Sequence, residues 1–217
     1  MKIALVGATG FVGSAVLKEA LNRGHEVTAV LRTPEKLKLK NEKLKIVKGD
    51  VLEKEKFSES IKGNDVVISA FNPGWENPNI YNEFLEGARA IQEGVKNSGV
   101  QRFIVVGGAG SLFVAPGLQL IDTPEFPAEI KPGAEAAREY LEILKGEDEL
   151  DWTFLSPAAE MHPGSSGERK GKYRTALDNP VFNEENRSII SVEDAAVALI
   201  DEAEEPKHIR QRFTIGY

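Results

Sequence analysis

No cysteine occurs in the 217 residues of this chain. That absence excludes a disulfide framework, a thiol nucleophile and a cysteine metal site, and it fits a reducing cytoplasm. Only three histidines are present, and none stands with Asp or Glu at metal-ligand spacing, so no metal centre is expected. Long apolar runs are missing too: none approaches the ~18 residues a membrane-crossing helix needs. The first strand candidate begins at the N-terminus with no signal segment before it, which points to a cytoplasmic protein without a membrane partner. Nor is there an excess of positive charge, since 27 Lys and Arg face 34 Asp and Glu for a net charge of -7. A nucleic-acid partner would require a concentrated basic face. The one lysine-dense stretch, Lys36 to Lys48, contains Glu42 and reads as a solvated face. With no flexible linker and no internal repeat, residues 1–217 read as one domain.

What is present is alternation. Short apolar runs recur at Ile3–Val6, Val27–Leu31, Leu44–Val47, Val66–Ala70, Phe103–Val106, Trp152–Leu155 and Phe213–Ile215. Near-continuous apolar strands belong to a parallel sheet covered on both faces. Between them, Ile80, Phe84, Ala88, Ile91 and Val95 place one apolar stripe on a helix from about Asn79 to Asn97, which Gly99 stops. A later helix starts near Pro132 with Ala136, Tyr140 and Leu144 on one face. Ser191 and Asp194 form an N-cap pattern opening Val192–Glu204. The expected fold is α/β, a doubly wound, mostly parallel Rossmann sheet with a small C-terminal elaboration. Its ligand crevice would lie at the carboxyl ends of the strands, with substrate-side loops near 72–79, 111–131 and 158–187.

Gly7, Gly10 and Gly13, with Ala8, Thr9, Phe11 and Val12 between them, follow the first apolar run and open a helical segment. In a dinucleotide-binding turn the first glycine permits the tight exit from the strand. The second admits a pyrophosphate to the backbone N–H groups, and the third lets the helix pack close to the sheet. The phosphates then sit on the positive helix end. An acidic residue at the end of the second strand usually marks NAD, yet Arg32 stands there. A guanidinium pairs bidentately with a 2′-phosphate, which favours NADP(H), while stacking on the adenine or pairing with a surface carboxylate are the competing roles. Thr33-Pro34-Glu35 looks like a helix start, with Lys36 a nearby charge that alone reads as solvated.

Taken together, Gly7–Gly13, Gly49-Asp50-Val51, Ser69-Ala70-Phe71, Val106–Leu112, Ala115-Pro116-Gly117, Asp151–Pro157 and Ile190–Asp194 resemble a known group over essentially the whole chain. It is the atypical short-chain dehydrogenase/reductases, within the NAD(P)H-binding set of NADH-flavin reductases and NAD-dependent epimerase/dehydratases. Biliverdin-reductase-B-like flavin reductases and redox-sensing regulators of the NmrA type share the pattern more distantly. The resemblance implies that Asp50 approaches the adenine amino group with Val51 beside the ring, although a turn or N-cap Asp fits the same spot. It makes Gly107, Ser156 and Pro157 cofactor contacts, the latter two lining the nicotinamide carboxamide, and it makes Arg212–Ile215 the strand that closes the sheet edge. Ala70 is small enough for the chain to pass close to the ribose and nicotinamide. Phe71 either flanks the dinucleotide or belongs to the core.

By the same resemblance Ser111 occupies the active-site serine position, where a hydroxyl orients a carbonyl or flavin edge; a serine in a glycine-rich turn is the alternative. Ordinary superfamily members also carry Tyr-x-x-x-Lys, in which the ammonium lowers the phenol's pKa for proton transfer. Here Tyr140 has Leu144 four residues on, with Lys145 one place too late, so Tyr140 reads as a packed aromatic. His162 is the one histidine near the expected crevice, either a proton donor or an exposed loop residue. The stretch Gly167–Tyr173 reads as a lid, and Lys170, Lys172 and Arg174 give it positive charge suited to a flavin phosphate or to solvent. Phe113 and Met161 are expected to build the acceptor pocket with Trp75, which either covers that pocket or packs on the surface or in the lid. Alcohol oxidation and sugar epimerisation need an acid/base at the reacting oxygen, whereas an oxidised flavin takes hydride directly and a proton from water. The expected function is therefore hydride transfer from NADPH to a flavin, as substrate, or to a similar conjugated acceptor. A redox-sensing NADP(H) regulator and a sugar-nucleotide epimerase/dehydratase are the alternatives. A small-molecule acceptor is the expected partner, in a monomer or homodimer.

Overall fold

Every apolar run above becomes a strand in the computed structural model, which describes residues 1–217. In chain order the elements are β1 (Lys2–Val6), α1 (Phe11–Asn22), β2 (Glu26–Leu31), β3 (Leu44–Lys48), α2 (Lys54–Ile61), β4 (Val66–Ser69), α3 (Ile80–Ser98) and β5 (Arg102–Val106). They continue with β6 (Phe113–Ala115), β7 (Leu118–Gln119), α4 (Lys131–Lys145), β8 (Asp151–Ser156), β9 (Arg174–Ala176), α5 (Val192–Glu204) and β10 (Gln211–Gly216). Eight strands form one sheet in the order β3-β2-β1-β4-β5-β8-β10-β9, parallel throughout except where β9 runs against β10. The small hairpin β6-β7 stands apart from it.

Continuous apolar strands are required because β1, β2, β4, β5 and β8 each feed two cores. Ile3 and Leu5 of β1 face α1 and α5, meeting Val16, Leu17, Ala195 and Leu199. Ala4 and Val6 face the other layer, where α2, α3 and α4 supply Phe57, Ile91, Tyr140 and Leu144. The helix ends follow local chemistry. Gly99 closes α3 in the left-handed region at φ 79°, and the Ser191 hydroxyl accepts the Asp194 N–H at 3.1 Å to cap α5.

One expectation is corrected at the sheet edge. Arg212–Ile215 does not close it, because β9 pairs outside β10 through Thr214 opposite Ala176 and Gly216 opposite Arg174. Its three residues lack the apolar alternation that marks a strand. No helix is long and apolar enough to cross a membrane. From β1 the chain winds outward to β3, then returns to β4 on the other side of β1, so the carboxyl ends of β1 and β4 flank the switch point. A crevice must open there, since the connections on the two sides leave in opposite directions.

Candidate functional site

At the end of β1, Gly7 takes φ +84°, and a Cβ there would stand 2.3 Å from the Ala70 carbonyl oxygen across the switch point. Gly13 lies under the same turn, where a Cβ would meet the Gly7 oxygen at 2.0 Å. Gly10 differs: its nearest obstacle is the Gly7 oxygen at 3.3 Å, and it borders open space. Two glycines are thus fixed by packing, while the third keeps the turn clear for something outside the protein. The Gly10 N–H donates to Gly7 O at 2.9 Å and Ser14 N–H to Gly10 O at 2.9 Å, which leaves the amides of Phe11, Val12 and Gly13 with no acceptor in the protein. With no acidic residue in the first turn of α1, that end stays positive. The geometry is a cradle for an anion such as a pyrophosphate.

The cradle opens into a cleft of about 960 Å³ along the carboxyl edge of the sheet. Its first end, after β2 and β3, is lined by Arg32, Thr33, Lys36, Gly49, Asp50, Val51 and Leu52. Arg32 is exposed and neither it nor Lys36 is in an ion pair. Asp50 lines the cleft and also makes a turn, its Oδ1 accepting the Leu52 N–H at 3.0 Å. Gly7, Thr9, Gly10, Phe11, Val12, Ala70 and Phe71 form the middle. The Phe71 ring serves cleft and core together, resting where a Cβ on Gly87 would come within 2.4 Å of it. At the far end, Gly107 and Pro157 line the wall, and Gly107 must be glycine because the Phe154 ring would lie 1.9 Å from a Cβ.

Four of the expected site residues stand elsewhere. Gly13 is buried behind the cradle. Ser156 is buried with its hydroxyl unpaired and does not line the cleft. The Ser111 hydroxyl is 3% exposed and accepts from Arg212 Nη1 at 3.0 Å, while the Ser111 carbonyl accepts from the same nitrogen at 2.9 Å. That bond holds it against β10 and away from the crevice. His162 is exposed and its Nδ1 accepts the Gly164 N–H at 3.1 Å, capping the short turn Pro163–Ser165; its neighbour Met161 lines the cleft instead.

The basic lid is also displaced. Arg169 donates twice to Glu19 of α1 at 2.8 Å, and the Lys170 and Gly171 amides donate to Asp194 at 3.1 and 2.7 Å. Lys170 Nζ lies 3.9 Å from the centre of the Tyr217 ring, and Arg174 donates to the carbonyls of Phe182 and Tyr217. The paired Arg169 holds the Glu19 carboxyl below the usual carboxylate range, against the opposing pull of burial. Phe113 belongs to the β6-β7 hairpin and does not reach the cleft, whereas Trp75 and Met161 do.

Sequence reasoning marked residues 111–131 as a substrate-side loop but did not name its side chains on the far wall, Leu120, Thr123, Glu125, Phe126, Pro127 and Ile130. It also missed Gly133, Ala134 and Ala137, although their spacing on α4 was a visible small-residue stripe. Tyr140 packs edge-on to Phe84, its hydroxyl fully buried without a partner, and burial pushes the phenol above the ordinary tyrosine range. No histidine, tyrosine or cysteine lines the cleft.

Comparison with known proteins places this geometry in a family context. The family model described as NAD(P)H-binding matches residues 7–204. YwnB of Bacillus subtilis (strain 168), an uncharacterized protein, is 43% identical over 219 residues, covering 99% of this chain and 98% of YwnB. A Bacteroides thetaiotaomicron structure provisionally named an epimerase is 54% identical with a TM-score of 0.92, covering 100% of this chain and 96% of its own. A Streptococcus pneumoniae TIGR4 structure provisionally named an NADH-flavin reductase is 37% identical with a TM-score of 0.86, covering 100% of this chain and 99% of its own.

Proposed function

Because this chain belongs to the NAD(P)H-binding family, we propose that it is an NADPH-dependent oxidoreductase that reduces a flavin or a similar conjugated acceptor. The observation that carries this is the lack of any phenol, imidazole or thiol in the cleft. The ionisable group at the far end is the Glu125 carboxylate, with no phenol–ammonium pair for proton transfer at a reacting oxygen, while a flavin-like ring draws its proton from water. When bound, the reduced nicotinamide supplies a hydride, and the acceptor adds a proton from water.

The residues fit the cofactor. Gly7, Thr9, Gly10, Phe11 and Val12 would form the cradle for the pyrophosphate, with the Phe11 and Val12 amides free to donate, and Arg32 with Lys36 would take the 2′-phosphate. Asp50 and Val51 would border the adenine, with Ala70, Phe71, Gly107 and Pro157 bordering the nicotinamide half. The protein's part is then to align two rings and exclude water. The epimerase name of the Bacteroides relative points to sugar chemistry, yet reversible oxidation of a sugar hydroxyl needs a base at that oxygen.

The test is to supply NADPH with flavins, quinones and nucleotide sugars in turn and follow the absorbance of the reduced nicotinamide. Oxidation driven by the conjugated acceptors above the uncatalysed rate is expected. Interconversion of a nucleotide sugar without net oxidation would overturn the proposal, and tight NADPH binding with every acceptor inert would leave a sensor.

A further inference from the structure

Charge along the cleft is sorted by position. Arg32, Lys36 and Asp50 stand at the first end, after β2 and β3; Glu83 and Glu86 border the middle from α3; beyond β5 and β8 the one charged lining residue is Glu125. No cation lines that far end, because the basic stretch that would meet a flavin phosphate is tied to Glu19 and Asp194 outside it. The remaining surface is apolar, from Phe126, Ile130 and Met161 to the small face of α4. Trp75 stands over that face. A Cβ on Gly133 would lie 2.8 Å from its indole, yet Trp75 is 55% exposed, so the ring leans on a glycine floor with much of its surface open. An aromatic face held in this way is a stacking platform.

We propose that the acceptor is a flat, uncharged conjugated ring system, riboflavin-like or quinone-like, held against Trp75 and selected against anionic relatives by Glu125. This rests on the oxidoreductase function proposed above. The acceptor gains two electrons and one proton as hydride from the dihydronicotinamide and a second proton from water, so no further oxidant or reductant is required. A like charge about 10 Å away at an effective dielectric near 20 disfavours an anion by roughly tenfold.

The experiment loads the protein with NADP⁺, so that no turnover occurs, and titrates two matched pairs by quenching of tryptophan emission. The pairs are riboflavin with FMN, and 1,4-naphthoquinone with its 2-sulfonate. Trp152 is buried, so the exposed Trp75 is the reporter that a bound ring reaches. The neutral member of each pair is expected to bind roughly tenfold more tightly. Glu125→Lys should shrink or reverse that ratio, and Trp75→Ala, followed by flavin emission, should weaken both flavins alike. Equal binding of FMN and riboflavin, a ratio untouched by Glu125→Lys, or no binding by any probe would overturn the proposal. Steady-state NADPH oxidation run in parallel separates the two claims. Neutral selection without oxidation removes the reductase and keeps the selection, whereas oxidation without selection does the reverse.

Discussion

Replacing Arg32 with alanine should weaken NADPH and spare NADH. Arg32 follows the last residue of β2, is exposed, lines the cleft and is in no ion pair, so its removal breaks no internal contact. On the proposed reading, all that is lost is a contact with the 2′-phosphate of bound NADPH. Hydrogen bonds to a charged group are worth about 1.5–3 kcal/mol, and exposure brings this pair toward about 1–3 kcal/mol. At 1.36 kcal/mol per decade, the NADPH dissociation constant should rise about 5- to 150-fold. NADH lacks the phosphate and should bind as before. Titration of both reduced cofactors by calorimetry at two salt concentrations gives the result directly. The NADPH penalty should shrink at high salt, as screening already weakens the wild-type contact. Equal losses for both cofactors would mean that Arg32 holds the adenosine or the local fold, and no loss for either would remove it from the site.

The glycines of the cradle should separate packing from binding. Gly13→Ala drives a methyl group into backbone and should cost about 2–3 kcal/mol, or about 4–12 °C in Tm, while Gly10→Ala should keep its melting temperature and lose NADPH affinity; calorimetric melting and titration check both. Ser111→Ala and Tyr140→Phe should leave kcat/KM nearly unchanged, and a loss of about 10²-fold in either would restore that hydroxyl to the chemistry. Glu19 has a depressed pKa in the folded state, so its stabilisation is present above the unfolded value near ~4.3 and is lost as pH falls through the folded one. Urea midpoints should therefore drop on acidification, and less steeply in Arg169→Ala; identical acid limbs would show that the Arg169 pair contributes nothing.

The strands and three long helices were legible because burial on both faces of the sheet writes itself as apolar runs and stripes at helical spacing. The cradle was legible for a similar reason, since Gly7 and Gly13 answer to backbone contacts that any chain taking this turn must meet. Ser111 was not. Its surroundings depend on Arg212, 101 residues away, which reaches it only because β10 packs beside β8. The charged stretch 167–174 was misplaced for the same reason, its partners Glu19 and Asp194 lying on α1 and α5. The far wall of the cleft is irregular chain between Ser111 and α4, where no periodicity marks which side chains turn inward.

Stereospecific deuterium transfer tests the proposed hydride step most directly. NADPH carrying deuterium at either the pro-R or the pro-S position of the nicotinamide C4 would be oxidised anaerobically by riboflavin with the protein present. One epimer should react more slowly than unlabelled NADPH and yield oxidised cofactor stripped of deuterium, and the other should retain its label. Loss of label from both epimers alike would place the transfer free in solution and contradict a cleft that aligns the two rings.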